Sequence, residues 1–185
     1  MSVKIQIKPL TSKNHFEFIQ QMINDNLIQR VDRSVQEKEG FLIANFDKDA
    51  LKKFHEVCPI LLAMERNEVL GYVIVGNEKS VGIDPIIDAM IKEGKNQVEG
   101  TDFPSSNKYI FVVQVCVKKA YRKKGVFQQL YATLISKHKN THSLILTEVL
   151  SHNKRSLLAH QRLGFEILHS RNKENFSKLM LCLTI

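Results

Sequence analysis

Apolar positions along this chain change their spacing several times, and each change marks a boundary between elements. Val3, Ile5 and Ile7 alternate with Lys4, Gln6 and Lys8, the period of a half-exposed strand, and Pro9 closes it as an edge strand. Thr11 or Ser12 then caps a helix whose Phe16, Ile19, Met22 and Ile23 share one face, running to about Leu27. Residues 28–40 are polar without a clear period and read as exposed loop. A short apolar run at 41–46 follows, and Asp47 caps a second helix through about Val57 with Leu51, Phe54 and Val57 inward, stopped by Pro59. Residues 60–64 and 69–75 form a hairpin around Glu65-Arg66-Asn67-Glu68, with Gly71 at a bulge position. An insertion at about 77–107 carries an amphipathic helix over 83–91, placed over a loop, where a segment this long either covers a functional opening or is a simple surface excursion.

The second half has the stronger pattern. Tyr109 to Val117 is almost wholly apolar, with Gln114 as the polar exception, as in a strand buried on both faces. From Phe127 the spacing becomes helical through Leu130, Tyr131, Leu134 and Ile135. Residues 144–149 form another buried strand. A helix then starts at Ser151 or Asn153, holds His160 and ends at Gly164. Phe165, Ile167 and Leu168 lead into a polar turn at 169–175 and a terminal hairpin strand at 176–185. The fold class is therefore α/β (α+β): a central twisted mixed sheet flanked by helices on both faces, with a right-handed strand–helix–strand crossover.

At 185 residues and 43% hydrophobic, the chain suits one domain with a proper core. Its formal charge of +8 favours acidic partners such as nucleotide-bearing cofactors, nucleic acids or anionic surfaces. Cys58, Cys116 and Cys182 are odd in number and far apart, which suggests neither a disulfide framework nor a zinc site. The N-terminal residues lack an apolar signal core and no run is long enough to span a bilayer, so a cytoplasmic protein without membrane association is expected.

Candidate chemistry concentrates between the buried strand and the helix after it. Lys118, Lys119, Arg122, Lys123 and Lys124 lie within seven residues, just before Gly125. Cations at a helix N-terminus oppose its dipole, while free N–H groups there suit a phosphate. The alternative is a solvated loop face. The run Arg122-Lys123-Lys124-Gly125-Val126-Phe127, after Val115-Cys116-Val117, resembles the Q/R-x-x-G-x-G/A coenzyme A signature of the GNAT N-acyltransferase superfamily. Asn153, Ser156, His160 and the Gly164-Phe165 pair resemble its second signature, at the same spacings and in the right order. The resemblance is specific over about residues 109–169. Phe127 stands where Gly or Ala is usual, and His160 where a Tyr usually protonates the leaving thiolate.

The resemblance implies a GNAT-like acyl-CoA N-acyltransferase fold in one domain, acetyl-CoA as cosubstrate without a metal, and transfer of an acetyl group to a primary amine of a small molecule or peptide. It implies that the backbone at Val115, Cys116 and Val117 holds the pantetheine arm, that Arg122 to Phe127 (Arg122, Lys123, Lys124, Gly125, Val126, Phe127) cradle the pyrophosphate, and that Asn153 and Ser156 contact the cofactor. Arg30, Asp32 and Arg33 are implied to border the acceptor, against a plain reading as exposed loop. For the acid, His160 competes with a passive role on the helix's inner face. For the base, Glu148 competes with an ordinary strand-end carboxylate. Cys116 could in principle carry an acyl group, but a buried cysteine is usually packing, and direct transfer is preferred. A non-catalytic acyl-CoA-binding module is the alternative function. A nucleic-acid binder is disfavoured, since the basic run lacks interleaved aromatics. A homodimer is compatible with the chain, and the acceptor stays open among small amines, antibiotics, amino acids and protein N-termini.

Overall fold

The computed structural model describes residues 5–99, 108–172 and 176–185. Among these, seven strands form one mixed sheet in the order β1-β2-β3-β4-β5-β7-β6: β1 Gln6–Pro9, β2 Leu61–Glu65, β3 Glu68–Gly76, β4 Tyr109–Val117, β5 Leu144–Leu150, β6 Glu166–Asn172 and β7 Ser177–Thr184. The helices are α1 Asn14–Asn26, α2 Arg33–Glu39, α3 Lys48–Val57, α4 Pro85–Glu99, α5 Val126–His138 and α6 Lys154–Gln161. Two apolar layers sandwich the sheet. One gathers Ile19 and Ile23 of α1, Leu51 and Phe54 of α3 and Met90 and Ile91 of α4 over Tyr72, Phe111 and Leu146. The other gathers Leu130, Tyr131 and Leu134 of α5 over Val73, Ile110 and Ile145. Burying both faces explains why β3, β4 and β5 read as continuous apolar runs.

Most of the elements expected from the pattern are present. Phe16, Ile19, Met22 and Ile23 are the buried face of α1, and the Asp47 carboxylate caps α3 by accepting from Ala50 N at 2.7 Å. The hairpin forms as expected, with its irregularity opposite Ala63 and Met64, where Leu70 is the extra residue on β3 beside Gly71. The start of the N-terminal strand at Val3 lies outside the described residues. Four readings change. Neither Thr11 nor Ser12 is the N-cap of α1: Lys13 holds that position, with no side-chain cap hydrogen bond. Residues 33–39 form α2, which buries no side chain and so left no apolar period; Gln36 holds it by donating to Ile28 O and Val31 O. The helix of the insertion runs from Pro85 to Glu99, beyond the expected 83–91, with Gly94 and Val98 also buried. Residues 169–172 continue β6 instead of forming a turn: they pair with Met180, Leu179, Lys178 and Ser177 at the outer edge of the sheet, where Ser170 and Asn172 face solvent.

Two features of β4 shape the opening at the centre of the sheet. Its pairing with β3 slips between Ile74 and Val75, leaving Val113 as an extra residue. Val113 and Gln114 therefore face the same layer: Val113 packs against the first core, while Gln114 accepts from Tyr72 Oη at 2.6 Å and donates to Ala44 O at 2.9 Å. In addition, β4 and β5, the parallel pair, are matched only from Tyr109–Leu144 to Phe111–Leu146. Beyond that point they part, and Thr147 Oγ1 bridges the start of the gap by donating to Val112 O at 2.9 Å. The fold thus opens at the carboxyl ends of two central parallel strands.

Candidate active site

A cleft of about 580 Å³ occupies this opening, with Val115, Cys116 and Val117 on one wall, Arg122, Lys123 and residues 125–128 at one end, and Arg155, Ser156, Leu158 and Ala159 of α6 with the following Arg162 opposite. Strand β4 has left its parallel neighbour here, so its backbone borders the space directly. The turn into α5 is built for close approach. Lys123 has φ 61 and Gly125 φ 80, a pair of left-handed residues that folds the chain back before the helix starts. The first N–H groups of α5 have no intrahelical partner and face this end of the cleft with the positive end of the helix dipole. Gly125 carries the stricter requirement, because a side chain there would be held in a conformation that costs about 1–2 kcal/mol.

The five cations of the turn separate into different roles. Lys118 pairs with Glu68, which also accepts from Tyr121 Oη at 2.7 Å, and Lys124 lies 5.2 Å from the centre of the Tyr121 ring. Lys119 and Lys123 are exposed, with no ion pair within 4 Å among the described residues. The Arg122 guanidinium is committed to the protein: Nη1 bonds Glu39 Oε2 at 2.7 Å, Nη2 bonds Asn26 Oδ1 at 2.6 Å, and Nε bonds Val117 O at 3.1 Å. This arginine holds the Glu39 carboxyl below the usual carboxylate range.

Residues 39–41 thereby form a strap over the cleft, fastened at both ends. One end is the Arg122–Glu39 pair; at the other, Asn153 Nδ2 donates to Phe41 O at 2.9 Å while Asn153 Oδ1 accepts from Ser156 N at 3.4 Å and caps α6. Gly40 between them has φ 77, and a Cβ there would stand 2.9 Å from Asn153 Oδ1. Asn153 and Arg122, one from each sequence signature, are thus brought together through a segment whose residues carry no clear apolar period.

The turn residues 122–127, Asn153 and Ser156 all border the cleft except Lys124, which stacks beside it. Phe127 turns inward and closes an aromatic cluster, 4.9 Å from Tyr131 and 5.2 Å from His160 between ring centres. Arg30, Asp32 and Arg33 are exposed and border neither this cleft nor the smaller recess beneath it. Arg155 and Arg162 were missed. They lie seven residues apart, Arg155 in the first turn of α6 and Arg162 at its C-cap, a spacing of about two helical turns readable from the sequence once that helix is placed against the turn.

The smaller recess, of about 80 Å³, lies deeper between β4 and β5, bounded by Phe41, Leu42, Ile86, Met90 and Leu150 and by the polar residues Gln114, Thr147, Glu148, Asn153, Ser156 and His160. His160 is 2% exposed. Its Nδ1 is 2.8 Å from Ser156 O, which can only accept, so Nδ1 carries the proton and Nε2 accepts from Tyr131 Oη at 2.8 Å. Burial pushes the imidazole pKa down to about 4 and the Tyr131 phenol well above its ordinary value. His160 is therefore neutral at pH 7 and has no free N–H to offer. The Glu148 side chain is 5% exposed and meets Lys178 Nζ at 2.6 Å and Arg171 Nη2 at 3.6 Å, while Arg171 also pairs with Glu93 of α4 at 3.3 Å. Burial lifts the Cys116 thiol to about 12, so it is not a thiolate at neutral pH.

A family model described as the Acetyltransferase (GNAT) family matches residues 20–165. No curated protein matches the chain in sequence. Among solved structures, the chain is similar to smu.2055 of Streptococcus mutans, with TM-score 0.67, 17% identity and coverage of 97% of this chain and 98% of that one. It is also similar to yncA of Salmonella typhimurium, solved with its cofactor acetyl-CoA (TM-score 0.63, 17% identity, 97% and 93% covered). A chain of the NatC complex bound to Gag peptide and CoA gives TM-score 0.67 at 15% identity, with 98% of each chain covered. At these identities the likeness is one of fold.

Proposed function

Because the chain belongs to the GNAT acetyltransferase family, we propose that it is an acetyl-CoA-dependent N-acetyltransferase in which an acceptor amine attacks the thioester directly. The observation that carries this reading is the open parallel pair: β4 and β5 part beyond Phe111 and Leu146, beside a left-handed turn that starts a helix. A pantetheine arm carries amide groups that the exposed edge of β4 at Val115, Cys116 and Val117 can pair with, as a third strand would. The N–H groups of residues 123–127 and the positive end of α5 suit the pyrophosphate. Lys119, Lys123, Arg155 and Arg162 supply longer-range attraction to a polyanion. Arg122 acts through Glu39, Asn26 and Val117 O, holding the strap and the turn in register, and Asn153 with Ser156 fixes the start of α6.

The roles of His160 and Glu148 change with the geometry. His160, with Nδ1–H given to Ser156 O and Nε2 taken by Tyr131, braces α6 against α5 and is not used as the acid. Glu148, engaged by Lys178 and Arg171, joins β5 to β6 and β7 and is not used as the base. Catalysis then rests on holding the thioester and amine together and excluding alternatives, which alone can supply several kcal/mol of barrier reduction. The amine proton passes to the departing thiolate directly or through water, giving amide and free thiol.

The engagement of both His160 and Glu148 within the protein favours a second reading, a non-catalytic acyl-CoA-binding module of the same fold. A thiol-release assay with acetyl-CoA and a panel of amines separates the two: turnover above the acceptor-free rate supports the transferase, and tight acetyl-CoA binding without turnover for any amine supports the module. We also propose that residues 77–107 are an insertion in a single catalytic domain. Among the described residues no helix is long and apolar enough to cross a membrane, and a cytoplasmic site of action is part of this proposal.

A further inference from the structure

Resting on the transferase reading, we infer that the acceptor is the weakly basic α-amine of a peptide whose first residue is apolar, and that it reaches the recess already neutral. An acceptor must approach the thioester where β4 and β5 part, and the recess there is walled by Phe41, Leu42, Ile86, Met90 and Leu150. Among the described residues, every ionisable or amide side chain on its wall is spent within the protein. Gln114 is held by Tyr72 and Ala44 O, and Thr147 by Val112 O. Asn153 is held by Phe41 O and Ser156 N, and His160 by Tyr131 and Ser156 O. Glu148 is held by Lys178 of β7 and Arg171 of β6, and Arg171 in turn by Glu93 of α4. Ser156 Oγ, the remaining hydroxyl, lies 3.4 Å from His160 Nδ1. The other imidazole nearby, His152 of the β5–α6 turn, stacks on Phe41 with ring centres 5.2 Å apart and is exposed.

Three consequences select the acceptor. With the described bases of the recess all engaged, attack depends on the fraction of amine that is neutral in solution. At pH 7 that is roughly one in eight for a peptide α-amine and roughly one in 2,500 for a lysine ε-amine, about a 300-fold difference. With the Glu148 carboxylate already paired, a polycationic amine gains nothing from the wall. And with Lys178 and Arg171, the cations that meet Glu148 at this wall, already paired with carboxylates, a free amino acid would bring a carboxylate for which the recess wall holds no free cation, which is costly in an apolar recess. A peptide bond in place of that carboxylate removes the penalty, and an apolar first side chain matches the walls.

The test uses the full chain with saturating acetyl-CoA and five acceptors. These are a Leu-starting peptide without lysine, the same peptide starting with Asp, an N-terminally blocked version containing Lys, free leucine, and spermidine. At pH 7 the Leu-starting peptide is expected to show kcat/KM at least about tenfold above each of the others, well inside the neutral-fraction ratio for the amines of ordinary basicity. Its kcat/KM should rise tenfold per pH unit up to the peptide's own α-amine pKa, and the inflection should move when a peptide of different α-amine pKa is used. Equal or better rates with the Lys peptide, spermidine, free leucine or the Asp peptide would overturn the inference. So would an inflection at the same pH for both peptides, including one in the imidazole range that vanishes in His152→Gln. Acetyl-CoA binding without acetylation of any peptide overturns the inference and leaves the cofactor site standing, whereas failure to bind acetyl-CoA removes the transferase reading itself.

Discussion

Replacing His160 with Phe separates a structural brace from a general acid. In the structure His160 is 2% exposed, Tyr131 is fully buried, and one hydrogen bond of 2.8 Å joins them while a second of 2.8 Å ties the ring to Ser156 O. Phe preserves the ring contacts to Phe127 and Phe165 but leaves the Tyr131 hydroxyl buried without a partner, which costs about 1–3 kcal/mol. The pH dependence gives a second handle. Burial lowers the imidazole pKa to about 4 from its ordinary 6.5, so the unfolded chain takes up a proton in a range where the folded chain does not. The neutral imidazole's stabilisation is complete above pH 6.5 and is lost as pH falls toward 4, to a total of about 3 kcal/mol. His160→Phe should therefore be less stable than wild type in urea unfolding at pH 7, with the gap closing between pH 6.5 and pH 4. Its kcat, measured at a temperature where both are folded, should stay within about threefold of wild type, well short of what loss of a general acid gives. Unchanged stability with a roughly 10²–10⁴-fold fall in kcat, the range for loss of a general acid, would refute the brace and return His160 to the chemistry.

Other residues give shorter tests. Lys123→Ala with Lys124→Ala should weaken acetyl-CoA in a calorimetric titration, and by less at high salt because exposed charges are screened; a loss independent of salt would count against phosphate attraction. Arg122→Lys, which cannot reproduce the guanidinium fork to Glu39, Asn26 and Val117 O, should cost about 1 kcal/mol of stability for this partly exposed pair and also weaken acetyl-CoA; a variant with wild-type stability and affinity would show that the strap positions nothing. Cys116→Ala should keep its turnover and show no acyl-enzyme by mass spectrometry, since the thiol is held near 12; a trapped acetylated Cys116 in the wild type would contradict direct transfer.

The parts of the fold legible in the sequence are those whose physical signal is local. The strand Tyr109–Val117, the turn with Gly125 and α5 are fixed by residues within some thirty positions, and buried strands and an apolar helix stripe are visible as changes of period. The bulge at Val113 was not visible, since an extra residue in a uniformly apolar strand leaves no mark, although it sets which way Gln114 points. The short helix α2 buries nothing, so its Arg33–Glu39 residues carried no period, and its role depends on Arg122, 83 positions away from Glu39. For the same reason the side-chain roles shifted: the spacing put Arg122, Asn153, Glu148 and His160 near the opening, but their partners Glu39, Phe41, Lys178 and Tyr131 come from other elements. Polar residues in an apolar setting are spent on each other before they are free for a ligand.

Whether acetyl-CoA occupies the turn between β4 and α5 decides the central claim. Gly125→Glu places a carboxylate against the first N–H groups of α5 and forces a side chain into φ 80, while the nearest atom to the new Cβ is 3.8 Å away, so the variant should still fold. Isothermal titration of wild type and Gly125→Glu with acetyl-CoA, with circular dichroism confirming the fold of each, is the direct measurement. Saturable one-to-one binding by the wild type and none by the folded variant is the predicted result; equal affinity in the two would place the cofactor elsewhere and contradict the site.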